Sequence, residues 1–319
     1  MLDLFPSKLL LGPMAGVTDY AFRRLLREMG LEYSVSEMIS AKGICYGNER
    51  TIDYAKSHES DHPLALQIFG SDPDYMVRAA LYLEKNYQYE VLDINMGCPV
   101  KKIFKNGEGS ALMKNEKLAM EIVASLVEHT SKPVSVKIRT GISEENKNAV
   151  RFARAMERAG ASMVVVHGRT TQQMYSGRAN WEDIARVKEA LQIPVIGNGD
   201  ISSLQEGLEK MRSYQVDAVM VARALRGNPF LVRDYKNYFE KGLEPLKPSM
   251  KEVVDAMRLH FSYLVEEMGE VYAASAFRKH GLWYVRDFAG SAKFRDRLSN
   301  IKSGQDLDDI LSAILDIDY

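Results

Sequence analysis

Eight short apolar runs separated by stretches of helical periodicity set the strongest limit on what this chain can fold into. They read LLLGPMAG (9–16), YSVSEMI (33–39), PLALQIFG (63–70), EVLDINMGC (90–98), PVSVKIRTG (133–141), SMVVVHGRT (162–170), PVIGNGD (194–200) and DAVMVARA (217–224). The segments between them, such as DYMVRAALYLEKN and NEKLAMEIVASLVEHT, repeat apolar residues at helical spacing. Continuous apolar strands alternating with amphipathic helices imply a parallel sheet whose faces are covered by helices. Eight strands in about 225 residues match the count and length of a (β/α)8 TIM barrel. A doubly wound open sheet would have fewer strands and a glycine-rich dinucleotide turn, and neither is seen.

The period changes near Glu244. From there the chain reads only as helix, in MKEVVDAMRLHFSYLVEEMG, VYAASAFRKHGLWYVRDF, SAKFRDRLS and QDLDDILSAILDID. The change follows GLEPLKPS, whose glycine and prolines mark a linker. The expected organisation is an α/β barrel over residues 1–240 and a small helical bundle over 241–319.

Composition narrows the class. A net charge of −1 rules out a polycation, so any nucleic-acid site must be a local patch. Cys45 and Cys98 are too few for a disulfide framework, and no CxxC pair suggests a metal. No run approaches the roughly 18 apolar residues of a membrane span, and the N-terminus does not read as a signal peptide. A cytoplasmic protein with no membrane partner and no metal is expected.

Polar residues gather where the strands end. Gln67, Asn95 with Cys98, Lys137 with Arg139, His167 with Arg169, Asn198 with Asp200, and Arg223 fall on six successive strands. One polar residue on an apolar strand is usually a satisfied core residue. The same gradient on six strands describes a polar pocket above a packed barrel, on the face where such barrels carry their chemistry. The glycines of GNGD and the arginine of ARALRGNP supply backbone donors and a guanidinium for a phosphate. With no GxGxxG and no GxxxxGK[ST], a single-phosphate ligand such as FMN fits better than a dinucleotide. Lys137 has three readings: a charge beside a flavin edge, a lumen lysine paired with Asp93, or a Schiff-base lysine. The sequence leaves all three open.

Cys98 sits at a strand tip, in NMGCPVKK. A nucleophile needs a depressed pKa and a partner base, whereas a general acid needs a thiol still protonated at neutral pH. The only clear candidate base at that mouth is His167, two strands away, so the acid role needs fewer assumptions. Cys45 reads as a packing residue.

PMAGVTDYAFR (13–23), INMGCPVKKI (94–103), VKIRTG (136–141), VHGRT (166–170), YSGRANW (175–181), GNGDI (197–201) and GNPF (227–230) resemble the tRNA-dihydrouridine synthase family, in the same order. RKHGLWY (278–284) in the helical tail resembles it too. Ala222 departs from the pattern, since the family more often has glycine before the arginine. The resemblance implies an FMN enzyme that reduces the C5=C6 bond of particular uridines in tRNA, its flavin reloaded by NADPH or NADH. Carried over by motif, Pro13, Met14 and Ala15 line the flavin face, Gln67 and Lys137 hold the isoalloxazine edge, and His167 supports the ring. Asn198, Gly199 and Asp200 with Ala222 and Arg223 take the phosphate. Cys98 becomes the proton donor to uracil C5, with Asn95 near the base. Lys101, Lys102, Arg139, Arg278 and Lys279 become contacts to the RNA substrate.

Residues 271–303 hold seven Lys/Arg against two acids, a net +5, interleaved with Tyr272, Phe277, Trp283, Tyr284 and Phe288. This reads either as a tRNA-docking tail or as a solvated helical face over an aromatic core. A monomer is expected. Two alternatives stand beside the main reading. A dihydroorotate- or dihydropyrimidine-type dehydrogenase would act on a free small molecule and need no basic tail. An RNA-binding protein with a dead barrel would have lost its flavin positions, yet Gln67, Lys137 and Arg223 are all present.

Overall fold

The computed structural model describes residues 1–286 and 291–316. In chain order its first part runs β1 (Leu9–Leu11), α1 (Tyr20–Glu28), β2 (Ser34–Val35), β3 (Ile39–Ser40), α2 (Ala41–Cys45), α3 (Glu49–Asp53), β4 (Leu64–Phe69), α4 (Pro73–Asn86) and β5 (Val91–Met96). It continues with α5 (Lys101–Lys105), α6 (Glu116–His129), β6 (Val134–Arg139), α7 (Ala149–Arg158), β7 (Met163–His167), α8 (Trp181–Ala190), β8 (Val195–Asn198), α9 (Leu204–Tyr214) and β9 (Ala218–Val221). Only helices follow: α10 (Phe230–Lys241), α11 (Met250–Met268), α12 (Glu270–Tyr284), α13 (Ser291–Ser299) and α14 (Gly304–Leu315).

All named strands pair in parallel. The ladder runs β2-β1-β9-β8-β7-β6-β5-β4-β3, and β2 also pairs with β4, which closes the ring. β2 meets the start of β4 (Ser34↔Leu64) and β3 meets its end (Ile39↔Ile68), so the two are halves of one stave. The result is an eight-stranded barrel, and each stave falls within one of the apolar runs read from the sequence, give or take a residue.

Register explains the lumen. Successive side chains on a strand alternate between faces, and paired residues of parallel neighbours share a face. One inward set, Leu10, Ala65, Val91, Met163, Val165, Ile196, Ala218 and Met220, forms a buried apolar cluster that Phe5 and Tyr33 join. Two residues further along several strands the same face turns polar: Gln67 after Ala65, Asp93 and Asn95 after Val91, His167 after Val165, and Asn198 after Ile196. The barrel is therefore a packed plug with a polar layer at its C-terminal end, where the loops leading into the helices emerge. Side-chain caps start many of those helices: Asp72 accepts from Tyr75 N–H with Pro73 at the first helical position, and Asn115, Asn180 and Ser203 act likewise.

By internal contacts the chain divides into two compact units. The first is Met1–Thr18 with Glu32–Val221, and the second is Asp19–Leu31 with the chain from Ala222 on. The break thus falls directly after β9, earlier than the linker at 240–250 suggested, and α1 is grouped with the late helices. The reason is side-chain packing: Ala21 and Leu25 of α1 share a buried cluster with Phe230, Val254, Met257 and Phe277. Helical periodicity marks a face to be buried but not the surface that buries it. Among the described residues no helix is long and apolar enough to cross a membrane.

Candidate active site

The polar layer is wired strand to strand. Gln67 Nε2 donates to Asp93 Oδ2 at 2.7 Å, and Ser135 Oγ donates to the other carboxylate oxygen, so three neighbouring strands share one buried acid. Burial pushes the Asp93 carboxyl above its ordinary range, against the pull of those hydrogen bonds and of Lys137. Gln67 Oε1 accepts from Asn95 Nδ2 at 2.8 Å, and Ser36 Oγ accepts from Gln67 N–H at 3.0 Å while donating to the Glu37 carbonyl at 2.8 Å. Lys137 Nζ donates to Asn198 Oδ1 at 3.0 Å, while Asn198 Nδ2 donates to the Met220 carbonyl. Burial and the neighbouring Arg139 charge pull the Lys137 ammonium down to about 8, only partly offset by Asp93 and Cys98.

The loop that carries Cys98 is held from both sides. Asn95 Oδ1 accepts from the N–H groups of Gly97 (3.1 Å) and Cys98 (2.8 Å). On the other side the Cys98 carbonyl accepts from Ser110 N–H (3.1 Å) and Ser110 Oγ (2.9 Å). Gly109 makes that approach possible: it sits at φ +60°, and a Cβ there would stand 2.9 Å from the Cys98 carbonyl oxygen. Burial pushes the Cys98 thiol up, outweighing a backbone hydrogen bond and the charges of Arg139 and Lys137. The proton therefore stays on sulfur at neutral pH, as an acid requires. Cys45 is half-buried, and its Sγ donates to the Tyr75 carbonyl at 3.6 Å.

Two arginines brace the mouth. Arg139, expected at the substrate, is buried, and it donates to the carbonyls of Gly97 (2.8 Å), Thr170 (2.8 Å) and Met174 (3.0 Å). It ties the Cys98 loop to the loop after β7. Arg169 donates to the Ser176 and Gly177 carbonyls and to Asp200 Oδ2 at 2.7 Å, and Asp200 Oδ2 also accepts from Ala179 N–H. The Asp200 carboxylate is thus a loop anchor. Gly199 lies at φ +134°, where a Cβ would be 2.6 Å from Ala179 Cβ. His167 Nδ1 accepts from Arg169 N–H at 3.2 Å, which leaves the proton of a neutral ring on Nε2.

Of the other expected residues, Pro13 and Met14 are half-buried and Ala15 exposed, in a turn after β1 where Thr18 Oγ1 accepts from Met14 N–H and Glu37 from Gly16 N–H. Lys101 and Lys102 are exposed in the first turn of α5. Ala222 and Arg223 open the second unit, Arg223 starting a single 3-10 turn. Arg278 donates to the Ile301 carbonyl through Nε (3.2 Å) and Nη2 (2.8 Å), and Lys279 is half-buried beside it. Asp287, Phe288 and the last three residues lie outside the described residues. Arg169 was legible as part of the polar rim but not as a brace, and the bracing roles of Ser110 and Ser135 had no signal in the sequence, because each depends on a partner in another segment. Among the described residues no group of His, Cys, Asp and Glu is arranged to hold a metal ion.

Fold and site together define a class: a (β/α)8 barrel with a lysine-bearing polar mouth and a protonated thiol on the loop after β5. The Dihydrouridine synthase (Dus) family model matches residues 10–317, and the chain belongs to that family. A probable tRNA-dihydrouridine synthase of Rickettsia bellii is 38% identical over 290 residues, covering 91% of this chain and 89% of that one. The tRNA-dihydrouridine synthase B of Pseudomonas aeruginosa is 37% identical over 300 residues, 93% of this chain and 89% of that protein. Among solved structures, histamine dehydrogenase from Rhizobium sp. 4-9 matches with a TM-score of 0.53 at 15% identity, over 80% of this chain and 49% of that one. At that identity the likeness speaks for the fold alone.

Proposed function

We propose that this protein reduces the C5=C6 bond of uridines in tRNA, with Cys98 as the proton donor. Family membership implies a flavin coenzyme. That the flavin is FMN, reloaded by NADPH or NADH, is part of the proposal, as is a monomeric cytoplasmic enzyme. The observation that carries the reading is the Cys98 loop: a thiol kept protonated by burial, on a backbone held by Asn95 and Ser110.

The residues present fit such a coenzyme. An ammonium has three donors, and Lys137 uses one on Asn198. At Gly199 the missing Cβ makes room for Ala179, whose Cβ would stand 2.6 Å away from one there, so the glycine's place at a phosphate rests on the resemblance. In this reading Pro13, Met14, Ala15, Gln67, Lys137, His167, Asn198, Gly199 and Asp200 hold the flavin, and Ala222 and Arg223 are assigned to its phosphate by the resemblance alone. A bound flavin supplies the hydride. The chain's own part is to hold a proton on Cys98 Sγ for uracil C5 and to fix that sulfur in place. Asn95 orients the loop, and Arg139 keeps it against the loop after β7. A uridine stacked inside tRNA must be everted to be reached, at a cost of a few kcal/mol. Lys101, Lys102, Arg278 and Lys279 are proposed to help offset that cost through contacts to the RNA.

Two measurements test the proposal together. Purified protein should absorb near 450 nm, as flavoproteins generally do, and tRNA from cells lacking the protein should lose dihydrouridine at a defined position by mass spectrometry. Colourless protein that cannot be reconstituted, or an unchanged tRNA, would overturn it.

A further inference from the structure

Two tyrosines outside the lumen form a surface that the reduction chemistry does not use. Tyr46, just after α2, is 72% exposed. Its hydroxyl shares a 2.7 Å hydrogen bond with that of Tyr75 in the first turn of α4, and the rings lie 5.8 Å apart at 48°. Lys42 Nζ is 5.6 Å from the Tyr75 ring centroid, and the Arg78 guanidinium carbon is 5.4 Å from it.

Topology puts this cluster on the catalytic side. α2 follows β3 directly and α4 follows β4 after three residues, so both begin at the C-terminal end of the barrel, where the loops converge. Gly70 permits the close packing of the two helices, since a Cβ there would lie 2.8 Å from Met76 Sδ and 3.4 Å from Ala41 Cβ. Two links lead toward the Cys98 loop. Ser71 Oγ donates to the Asn106 carbonyl at 3.1 Å, one residue past α5. The Lys42 charge also bears on Glu108, two residues before the Ser110 that holds the Cys98 carbonyl.

A single exposed aromatic is ordinary, but Tyr46 is tied to Tyr75, and that ring has two cations beside it. The shared hydroxyl bond fixes the Tyr46 ring, and little side-chain freedom remains to be lost on stacking. The exposed Tyr46 ring, beside a half-buried Tyr75 that carries Lys42 and Arg78 over it, offers what an unpaired nucleotide needs: a π-face for the base and cations for the phosphates. On the same side of the barrel α5 adds exposed Lys101, Lys102 and Lys105, which suits a polyanion, while the Asp72 charge bears on Tyr75 from the start of α4. Everting one uridine also unstacks its neighbours, which then require a new face to cover them.

We propose that Tyr46 and Tyr75, with Lys42 and Arg78, form a stacking platform for an unpaired nucleotide of the tRNA other than the uridine being reduced. The proposal rests on the tRNA reading above. It is tested with full-length protein carrying its flavin, comparing wild type with Tyr46→Ala, Tyr46→Phe, Lys42→Glu and Arg78→Glu. The readouts are tRNA binding by fluorescence anisotropy at two salt concentrations and the steady-state kinetics of dihydrouridine formation. Tyr46→Ala should raise both Kd and KM for tRNA about tenfold with kcat held, the worth of roughly one base–aromatic stack. Tyr46→Phe should stay within about threefold, and the two charge reversals should weaken binding and flatten its salt dependence.

Unchanged Kd and KM in a folded Tyr46→Ala protein would overturn the platform, as would a loss confined to kcat. If Tyr46→Ala does not fold, the reversals at exposed Lys42 and Arg78 decide by the same criteria. A Tyr46→Ala protein that binds tRNA normally but sediments with a different mass would identify a self-association face and also defeat the proposal. Wild-type protein that makes no dihydrouridine in any tRNA would sink the parent reading instead, so the two failures are distinguishable.

Discussion

In the barrel, Gln67, Asp93 and Ser135 lie at one level on three neighbouring strands, and each polar group meets its partner one strand away. In the helical unit, His260 and His280 are just as buried, but they sit among Phe22, Phe277 and Tyr284. His280 has no hydrogen-bonded ring nitrogen among the described residues, and its Nε2 stands 3.9 Å from Asp19 Oδ2, beyond hydrogen-bond length. His260 has only a long contact of 3.4 Å from Nδ1 to the Tyr284 hydroxyl. Parallel strands repeat laterally at about 4.8 Å, so a polar side chain finds a neighbour at a fixed reach. Packed helices surround a polar side chain with whatever their ridges carry, here aromatic faces. Burial favours the neutral form in both interiors, of Asp93 and Lys137 as of both imidazoles, but in the barrel it is opposed by hydrogen bonds of 2.7 Å to Asp93 and 3.0 Å from Lys137.

The largest expected effect is at the one barrel group whose proton the chemistry uses. Cys98→Ala should retain the flavin spectrum and lose roughly 100-fold to 10,000-fold in the rate of dihydrouridine formation, measured by single-turnover quench. An unchanged rate would remove the thiol from the mechanism.

The contrast itself is probed by paired deletions. Gln67→Ala strips Asp93 and Asn95 of a shared partner and should cost about 2 kcal/mol in urea unfolding at pH 8. His260→Phe, which removes a polar group with little to lose, should stay within about 1 kcal/mol. Equal costs would show that the two interiors are not organised differently.

Acid gives the smallest and most selective effect. Both imidazoles are favoured neutral in the fold, so as pH falls past about 6.5 the unfolded chain takes up protons first. Stability is full above that pH and declines below it, by at most about 1.4 kcal/mol per pH unit for each histidine. Thermal melts from pH 8 to pH 5 should show the decline, and His260→Phe should reduce its slope. An unaltered slope would place the acid sensitivity elsewhere.

The amino-acid sequence alone determined the strand count, the parallel alternation with helices and the polar rim. These are local properties: an apolar run of strand length, a side-chain period of two, and the position of Cys98 at a strand tip. It also carried the family, because the motifs are contiguous. What only the tertiary structure decided was which partner each polar group takes. Arg139 serves the Gly97 carbonyl 42 positions away, Lys137 serves Asn198 at a separation of 61, and α1 packs with helices more than 200 residues later in the chain. Such pairings follow from strand register and helix docking, and those depend on the simultaneous burial of every face rather than on any one segment.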